Sequence, residues 1–311
     1  MLMLIKCPPL FIFWLLSGGR TVYMGISGGY GQIFDVCFLL LSRLFGAKCY
    51  IHHHSFNYLN KRFFLTQWLI SVAGKAATHI VLCDCMAESL KAQYPNSVKT
   101  TITLSNAVFI DTPIVNDASK DKVDAPLKIG FLSNISKEKG IDLFISLIES
   151  VGDDTGLKVK ALIAGPFQDA ATQAIVMKRV GLLADRLDYI GPQYGSDKDD
   201  FLASLDVLVF PTPPFVNEAA PLVIYEALSQ GTPVIAIDIG CIKGMIDEGA
   251  GIVVIDHESF QSKAIAQLMQ WNDERDRLYQ ASQKARASFL ETKQIAEQVL
   301  EQLCLDLMQG S

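Results

Sequence analysis

The sequence predicts an α/β protein built from two Rossmann-like domains. At roughly 150 residues per domain, a chain of 311 residues corresponds to two domains. Half of the residues are apolar and 19% are charged, as in globular chains with much buried sheet. Short apolar runs alternate with helical stretches, the pattern of a parallel sheet covered by helices. One irregular segment divides this alternation into two series, which indicates two domains in tandem.

The first series gives an N-terminal domain over residues 1–107. A strand is predicted at 21–25, and the helix that follows at 32–45 is stopped by Gly46. The apolar run at 10–16 is far shorter than the ~20 residues that a membrane-spanning helix needs. The other predicted elements are strands at 48–51, 79–82 and 101–104 and helices at 61–73 and 84–93.

The second series begins after residues 108–126, whose Asp, Asn, Ser, Lys and Pro predict a linker. It gives a C-terminal domain over 127–290, and residues 291–311 are expected to form a helix that packs back on the N-terminal domain. The predicted elements are strands at 127–132, 158–163, 187–190, 206–210 and 233–237, helices at 140–149 and 222–230, and a mostly helical tail at 259–308.

The charge of the chain is unevenly distributed. The net charge of −6 argues against a nucleic-acid-binding protein, because such proteins concentrate Lys and Arg against phosphate. Residues 1–100 hold nine Lys and Arg against three Asp and Glu, a net +6, so the rest of the chain carries −12. This basic half is either ordinary solvated surface or a surface that attracts an anionic membrane or substrate.

The seven cysteines have no disulfide-framework spacing, which is typical of a cytosolic chain. Cys83 and Cys85 flank Asp84, and neither a second Cys pair nor a His-x-x-x-His stands at zinc spacing. We therefore expect these two thiols to pack in the core. No metal and no cofactor is expected.

The most informative stretch runs from 210 to 236, where a strand ends at Pro211 and a helix starts near Pro221. Proline is favoured in the first helical turn, so the free N–H groups of residues 222–224 would form a site for a diphosphate. Glu218 and Glu226 lie eight positions apart across this helix start. They are either two solvated acids, or one reaches a group beyond the phosphates while the other accepts hydrogen bonds from a ribose diol.

The motif Glu218-x7-Glu226, followed by Ala-Leu-Ser-Gln-Gly-Thr-Pro-Val, resembles the signature of the retaining glycosyltransferases of family 4, also called group 1. The segments 132–140, ending in Lys-Gly, and 105–108, Ser-Asn-Ala-Val, match further motifs of that family. The resemblance covers roughly residues 20–300. It implies the GT-B fold, in which two Rossmann-like domains face each other across a cleft and the C-terminal domain binds a nucleotide-sugar donor.

The resemblance also implies roles for individual residues. Lys139 would contact the donor diphosphate, Glu226 would bind the ribose hydroxyls, and Glu218 would contact the transferred sugar near its anomeric centre. Asn134 stands where many members of the family have Arg, so this chain has one cation fewer near the diphosphate. The other implied donor contacts are Ala219, Ala220, Pro221, Leu222 and Val223 at the sugar and phosphates, and Gly191 and Gln193 at the base.

Three consecutive histidines follow the strand at 48–51. The resemblance makes His54 the candidate for a contact to the donor sugar, whereas a structural role is equally compatible with the triplet. Consecutive residues of an extended chain point to opposite sides, so the three cannot all ligate one metal ion. The glycine-rich segment 27–31 is either an acceptor loop or part of a later strand–helix unit of the family. If the segment belongs to the later strand–helix unit, the N-terminal domain is expected to be incomplete.

Together these features predict a retaining hexosyltransferase that moves a sugar from a UDP- or GDP-sugar to a hydroxyl of a saccharide or lipid-linked acceptor. The expected setting is surface polysaccharide or glycolipid biosynthesis, metal-independent and cytoplasmic, with peripheral association at the inner face of the membrane. Two alternatives remain open from the sequence. One is a non-catalytic nucleotide-binding partner subunit with a degenerate acceptor half, and the other is a sugar-nucleotide epimerase.

Overall fold

The structure is a computed structural model that describes residue 16 and residues 21–113, 125–153, 156–216 and 218–309. The chain folds into two compact units. The first contains the residues up to Val108 together with those from Lys293 onward, and the second is Phe109–Thr292. All but Leu16 of the predicted apolar run, and residues 114–124 of the predicted linker, lie outside the described residues.

The first unit contains a four-stranded sheet in the order β1-β2-β3-β4, and every pairing is parallel. Parallel neighbours require helical crossovers, and these cover the sheet. The strands are β1 (Thr21–Gly25), β2 (Lys48–His52), β3 (Thr78–Val81) and β4 (Thr100–Thr103), and the helices are α1 (Gln32–Leu44), α2 (Asn57–Asn60), α3 (Phe64–Ala73) and α4 (Asp84–Gln93).

The second unit contains a six-stranded parallel sheet in the order β10-β9-β8-β5-β6-β7. Its strands are β5 (Leu127–Leu132), β6 (Val159–Ala164), β7 (Leu187–Tyr189), β8 (Val207–Phe210), β9 (Val234–Ile237) and β10 (Gly251–Val254). Its helices are α5 (Ile141–Asp153), α6 (Ala170–Leu182), α7 (Ser196–Ser204), α8 (Leu222–Ser229), α9 (Ile242–Met245) and α10 (Phe260–Asp273). The last helix, α11 (Arg275–Gln309), begins in this unit and ends in the first.

Apolar residues of the strands and their covering helices form the core of each unit. In the second unit β8 and β9 are buried along their whole length, as expected for central strands covered on both faces. In the first unit Leu303 of α11 packs in a cluster with Tyr50, Ile80 and Leu104. The buried Thr66 of α3 donates to Gln32 of α1 over 2.7 Å, which fixes these two helices to each other.

The two parallel sheets confirm the predicted α/β class. Helices α6 and α7 were not predicted, because their sequences lack a strong apolar period. Strand β10 was also not predicted, although its sequence Gly-Ile-Val-Val is apolar. The prediction that Cys83 and Cys85 pack in the core is wrong. Cys85 is exposed and Cys83 is half-buried, with the two Sγ atoms 3.0 Å apart at the start of α4. Among the described residues, no helix combines the length and the apolarity needed to cross a bilayer.

Candidate functional site

The order of the six-stranded sheet creates one point where the direction of strand addition reverses. From β5 the chain adds β6 and β7 on one side, and then returns to add β8, β9 and β10 on the other. Ligands of open α/β sheets bind outside the carboxyl ends of the strands at such a point. The loops after β5 and β8 therefore frame the candidate site, and they carry Lys139 and Glu218.

Lys139 is held by a tight turn at the end of the loop after β5. Its backbone N–H donates to the Oγ of Ser136 over 3.3 Å. The next residue, Gly140, has φ +80°, and a Cβ there would lie 2.2 Å from the carbonyl oxygen of Pro211 at the end of β8. Glycine is required at this position because both its φ and the close approach of the β8 end exclude a side chain.

The ammonium of Lys139 forms an ion pair with Glu218. Its Nζ lies 2.5 Å from Oε2 of Glu218, although the two residues are 79 positions apart in the sequence. Both side chains remain partly accessible, at 28% for Lys139 and 20% for Glu218. The switch point therefore holds one cation and one carboxylate in direct contact, within reach of a ligand.

The loop after β9 supports the backbone of Glu218 and Ala219. Gly240 has φ +57°, and a Cβ on it would lie 2.4 Å from the carbonyl oxygen of Glu218 and 2.5 Å from that of Ala219. The N–H of Cys241 donates to the carbonyl of Ala219 over 2.8 Å. Three strand-end loops thus meet at Glu218, and the glycine allows the third to approach closely.

Helix α8 begins directly after this carboxylate. Pro221 is its N-cap residue, with φ −64° and ψ 121°, so it precedes the first turn rather than standing inside it. The prediction of three free N–H groups is wrong for Ile224, whose N–H donates to the carbonyl of Pro221 over 3.2 Å. The N–H groups of Leu222 and Val223 remain for an anion at this helix start, where the helix dipole also favours negative charge.

Glu226 lies on α8 and forms a second ion pair. Its Oε1 is 2.7 Å from the Nζ of Lys198 on α7, and the two side chains are 14% and 29% exposed. They border a cavity of about 260 Å³ whose polar lining also includes Asp111, Asp199 and Ser229. A hydroxyl-bearing ligand that enters this cavity would meet a carboxylate already oriented by a cation.

The remaining predicted donor contacts lie on neighbouring loops of the same unit. Gly191 follows β7 with φ +84°, and its carbonyl accepts from the N–H of Gly165 over 3.0 Å. Gln193 donates to the carbonyl of Ile190 over 3.2 Å, two residues after Gly191. Asn134 is exposed in the loop that carries Lys139. Ala219, Ala220 and Val223 are buried or half-buried, whereas Leu222 is 43% exposed.

The histidine triplet lies in the first unit, and its three members differ in solvent exposure. His52 and His53 are buried and His54 is exposed. The Nδ1 of His52 lies 2.5 Å from the hydroxyl of Tyr23. His53 lies 3.0 Å from the hydroxyl of Tyr58 through Nδ1, and its Nε2 lies 2.9 Å from Nδ1 of His79.

Burial keeps these inner histidines neutral. It lowers the pKa of His79 to about 4 and that of His53 well below its usual range. Burial, and then the charge of the neighbouring His54, lower the pKa of His52 to about 4. Because His54 is exposed while His52 and His53 are buried, it is the member of the triplet that solvent or a ligand can reach.

Residues 115–285 match the model of a protein family described as "Glycosyl transferases group 1". The match covers more than half of the 311 residues and includes the strand-end loops described above. The chain belongs to this family. The predicted resemblance to group 1 is thereby confirmed. Comparison with curated protein sequences gives no match.

Solved structures of similar fold match nearly the whole chain. A point mutant of TarM from S. aureus, in complex with fondaparinux, alpha-GlcNAc-glycerol and UDP, matches with a TM-score of 0.68 and 21% identity. The match covers 96% of this chain and 58% of TarM. HepE from Anabaena, in complex with UDP, matches with a TM-score of 0.73 and 18% identity, over 95% and 82% of the two chains.

A glycosyltransferase from Rickettsia africae matches with a TM-score of 0.74 and 13% identity, over 98% of this chain and 81% of that one. At such low identity these likenesses show the fold, and they confirm the predicted GT-B class. This group 1 chain therefore spans less than two thirds of TarM but most of the other two proteins.

Sequence reasoning missed Lys198, the partner of Glu226. Lys198 is the third residue of α7 and stands among Asp197, Asp199 and Asp200. A cation in the first helical turn is disfavoured by the helix dipole. The tertiary structure adds the carboxylate of Glu226 as a partner, which the neighbouring aspartates in the sequence do not reveal. In this group 1 chain it adds a second cation to the candidate site.

Proposed function

We propose that this protein transfers a glycosyl group from a nucleotide-diphosphate sugar to an acceptor hydroxyl, with retention of the anomeric configuration. The observation that carries the proposal is the Lys139–Glu218 ion pair, 2.5 Å long, at the switch point of the six-stranded sheet. Membership of group 1 supports the reaction type. The UDP complexes of the TarM mutant and HepE favour UDP over GDP as the carrier.

The donor diphosphate would lie between Lys139 and the start of α8. The ammonium of Lys139 and the N–H groups of Leu222 and Val223 then stabilise the charge that develops on the leaving nucleoside diphosphate. When Lys139 turns to the diphosphate, it releases Glu218 for a hydroxyl of the transferred sugar. A lysine and a helix start supply the positive potential, so the reaction needs no metal ion.

This placement of the diphosphate determines which residues would contact the ribose, the base and the sugar of the donor. Glu226 accepts hydrogen bonds from the ribose hydroxyls, held in orientation by Lys198 at 2.7 Å. The loop at Gly191 and Gln193 presents backbone groups to the base. The exposed His54 of the first unit would contact the donor sugar, and this role is supported by its accessibility beside two buried histidines.

The acceptor is proposed to be a saccharide or a lipid-linked saccharide, in surface polysaccharide or glycolipid assembly. The TarM mutant was crystallised with alpha-GlcNAc-glycerol, which is a glycosylated hydroxyl compound. The net +6 of residues 1–100 favours association with an anionic membrane, where a lipid-linked acceptor would be located. We accordingly place the protein in the cytoplasm, peripheral to the inner face of the membrane.

Calorimetry with UDP and GDP, followed by transfer from a panel of their sugars in the presence of EDTA, tests this proposal. We expect binding of one nucleotide, transfer that survives EDTA, and a product whose anomeric configuration by NMR equals that of the donor. Glu226→Ala should lose nucleotide binding, whereas the matched control Glu248→Ala, at an exposed acid of the same unit, should retain it.

Four results would overturn the proposal or part of it. Activity abolished by EDTA contradicts metal independence, and an inverted product contradicts retention. Nucleotide binding without turnover on any acceptor extract indicates the non-catalytic subunit instead, and interconversion of the free donor without acceptor indicates an epimerase.

A further inference from the structure

The outward side of helices α1 and α3 carries large apolar side chains where a surface helix is normally polar. Six large apolar side chains on it are between 49% and 73% exposed, and we call this surface the α1–α3 face. Monomeric proteins rarely expose contiguous apolar patches of more than a few hundred Å² unless the patch binds something. The face consists of Ile33, Phe34, Leu40, Leu44, Phe64 and Trp68.

Contacts at both ends of helices α1 and α3 hold them next to each other. Near the helix starts Thr66 donates to Gln32 over 2.7 Å. At the helix ends the guanidinium of Arg43 donates to the carbonyl of Ala73 over 2.6 Å. The two helices therefore lie side by side in the same direction, with their exposed apolar residues on neighbouring helices.

Aromatic rings line one end of the α1–α3 face. Tyr30, which is 77% exposed, contacts Phe63 with ring centroids 5.9 Å apart. Phe63 contacts Phe64 at 5.1 Å, and Phe64 contacts Trp68 at 5.9 Å. Exposed Tyr and Trp beside apolar residues are the side chains that favour the interface between lipid headgroups and acyl chains.

The exposed charges of α1, α3 and the residues that flank them have a single sign. Asp35 is the one acid within α1 and α3, and it is buried, where it accepts hydrogen bonds from the N–H and the Oγ of Ser27. Lys61 and Arg62 are exposed immediately before α3. Beyond the other end of the helices Lys48 and Lys75 are exposed, beside Arg43. An apolar surface with cations at both ends and no exposed acid on its helices complements an anionic lipid surface.

We propose that the α1–α3 face is the surface by which this protein docks on an anionic membrane. The apolar and aromatic residues enter the headgroup region, while the cations at the two ends meet anionic headgroups. The inference rests on the proposed location at the membrane, but not on the transfer reaction itself. It assigns that location to a defined surface of the first unit rather than to diffuse basic charge.

Flotation of the full chain with vesicles tests the docking surface. We expect binding to vesicles of mixed phosphatidylglycerol and phosphatidylcholine and much weaker binding to phosphatidylcholine alone. Phe64→Glu/Trp68→Glu should weaken binding to the anionic vesicles at least about tenfold, because two carboxylates would enter the headgroup region. Each of Lys61→Gln and Arg62→Gln should weaken it up to about fivefold.

Tyr279→Glu is the matched control, because Tyr279 is 55% exposed on α11 in the second unit. It should bind vesicles like the wild type. Equal loss in this control, or no binding by the wild type, overturns the proposal. Since all the substituted side chains are exposed, the variants should keep the circular dichroism spectrum and melting temperature of the wild type.

Trp68 reports the docked state directly. Trp271 is buried and the third tryptophan is Trp14, so a Trp14→Phe protein leaves Trp68 as the accessible fluorophore. Anionic vesicles should shift its emission to the blue and protect it from acrylamide. If Trp68 is already protected without vesicles, another occupant covers the face and the proposal is wrong. Light scattering then distinguishes a second copy, which Phe64→Glu/Trp68→Glu would release, from a segment of the same chain.

UDP calorimetry on the same variants separates this inference from the proposed function. Phe64→Glu/Trp68→Glu should keep the UDP affinity of the wild type. Wild-type protein that binds UDP but not vesicles refutes the docking surface alone. Protein that docks as expected but binds neither UDP nor GDP refutes the donor chemistry and leaves the docking surface intact.

Discussion

The two sheets use the polar side chains at their strand ends in different ways. In the second unit Lys139 and Glu218 are charged, paired over 2.5 Å, and accessible to solvent. In the first unit His52 ends β2, His53 follows it, His79 lies within β3, and all three are buried. They are hydrogen bonded to tyrosines or to each other.

Exposure decides which of these groups are available for chemistry. A partly exposed ion pair can exchange its partner for a ligand at modest cost, because solvent screens both charges. A buried neutral histidine pair would have to overcome desolvation to become charged, which is why burial lowers the pKa of His79 to about 4. This difference supports the proposal that the donor chemistry belongs to the second unit, and it is consistent with structural roles for the buried histidines.

Lys139→Met should have the largest effect on activity, since it removes the cation that pairs with Glu218 at the switch point. We expect kcat/KM for sugar transfer to fall by at least about a hundredfold, as when one stabilising donor of a developing anion is lost. Lys137→Met is the control, because Lys137 is exposed two residues earlier in the same loop. A comparable loss in the control would mean that overall loop charge, and not the pair with Glu218, supports the reaction.

Gly240→Ala should disturb Glu218 without removing any functional group. The new Cβ would lie 2.4 Å from the carbonyl of Glu218 in a backbone of φ +57°, so the loop must move or strain. We expect a loss of about 1 to 3 kcal/mol in the free energy of unfolding together with weaker UDP binding. Gly244→Ala is the matched control, because nothing lies within 4 Å of its Cβ position. Retained UDP affinity in Gly240→Ala would contradict the role of this close approach.

Acid should destabilise the chain through its buried histidines. The folded-state pKa of His79, about 4, lies below the unfolded value of about 6.5, so the unfolded state binds the proton first. The contribution of neutral His79 to the free energy of unfolding is therefore complete above about pH 6.5, and it is lost as the pH falls toward 4. At about pH 5 the loss is roughly 2 kcal/mol for this residue.

Urea denaturation at about pH 7 and pH 5 measures this effect. Relative to the wild type, His79→Gln should lower stability at pH 7 and show a smaller decrease between the two pH values. An equal pH-dependent loss in wild type and variant would show that other groups dominate acid sensitivity.

Lys198→Met should have the smallest of these effects, and it tests the second ion pair of this unit. The Lys198–Glu226 pair is partly exposed, so UDP affinity should fall only about two- to fivefold. The ratio of UDP to 2′-deoxy-UDP affinities should fall as well, because Glu226 loses its orientation. Lys160→Met is the control, since Lys160 pairs with Asp188 over 2.7 Å on the surface. An unchanged ratio in Lys198→Met would exclude a positioning role.

Much of the fold could be predicted because its signals are local. Strand β5 at Leu127–Leu132 and helix α4 at Asp84–Gln93 have the predicted bounds, since an apolar run and a periodic helix are visible in short windows. Helix α7 at Ser196–Ser204 was not predicted, because few of its residues are apolar. The hydrogen bond from the N–H of Ile224 to the carbonyl of Pro221 could not be predicted from the sequence either. The exact N-cap residue decides which N–H groups stay free, and only the structure shows it.

The sequence by itself determined the α/β class, the group 1 family and the candidate residues Lys139, Glu218 and Glu226. Tertiary structure alone decided their partners, since parallel strands bring loops from distant parts of the chain to one sheet edge. Thus Lys139 meets Glu218 across 79 residues, and Glu226 meets the unpredicted Lys198. It also decided that His54 is exposed while its neighbours are buried, because burial depends on what packs against a strand end.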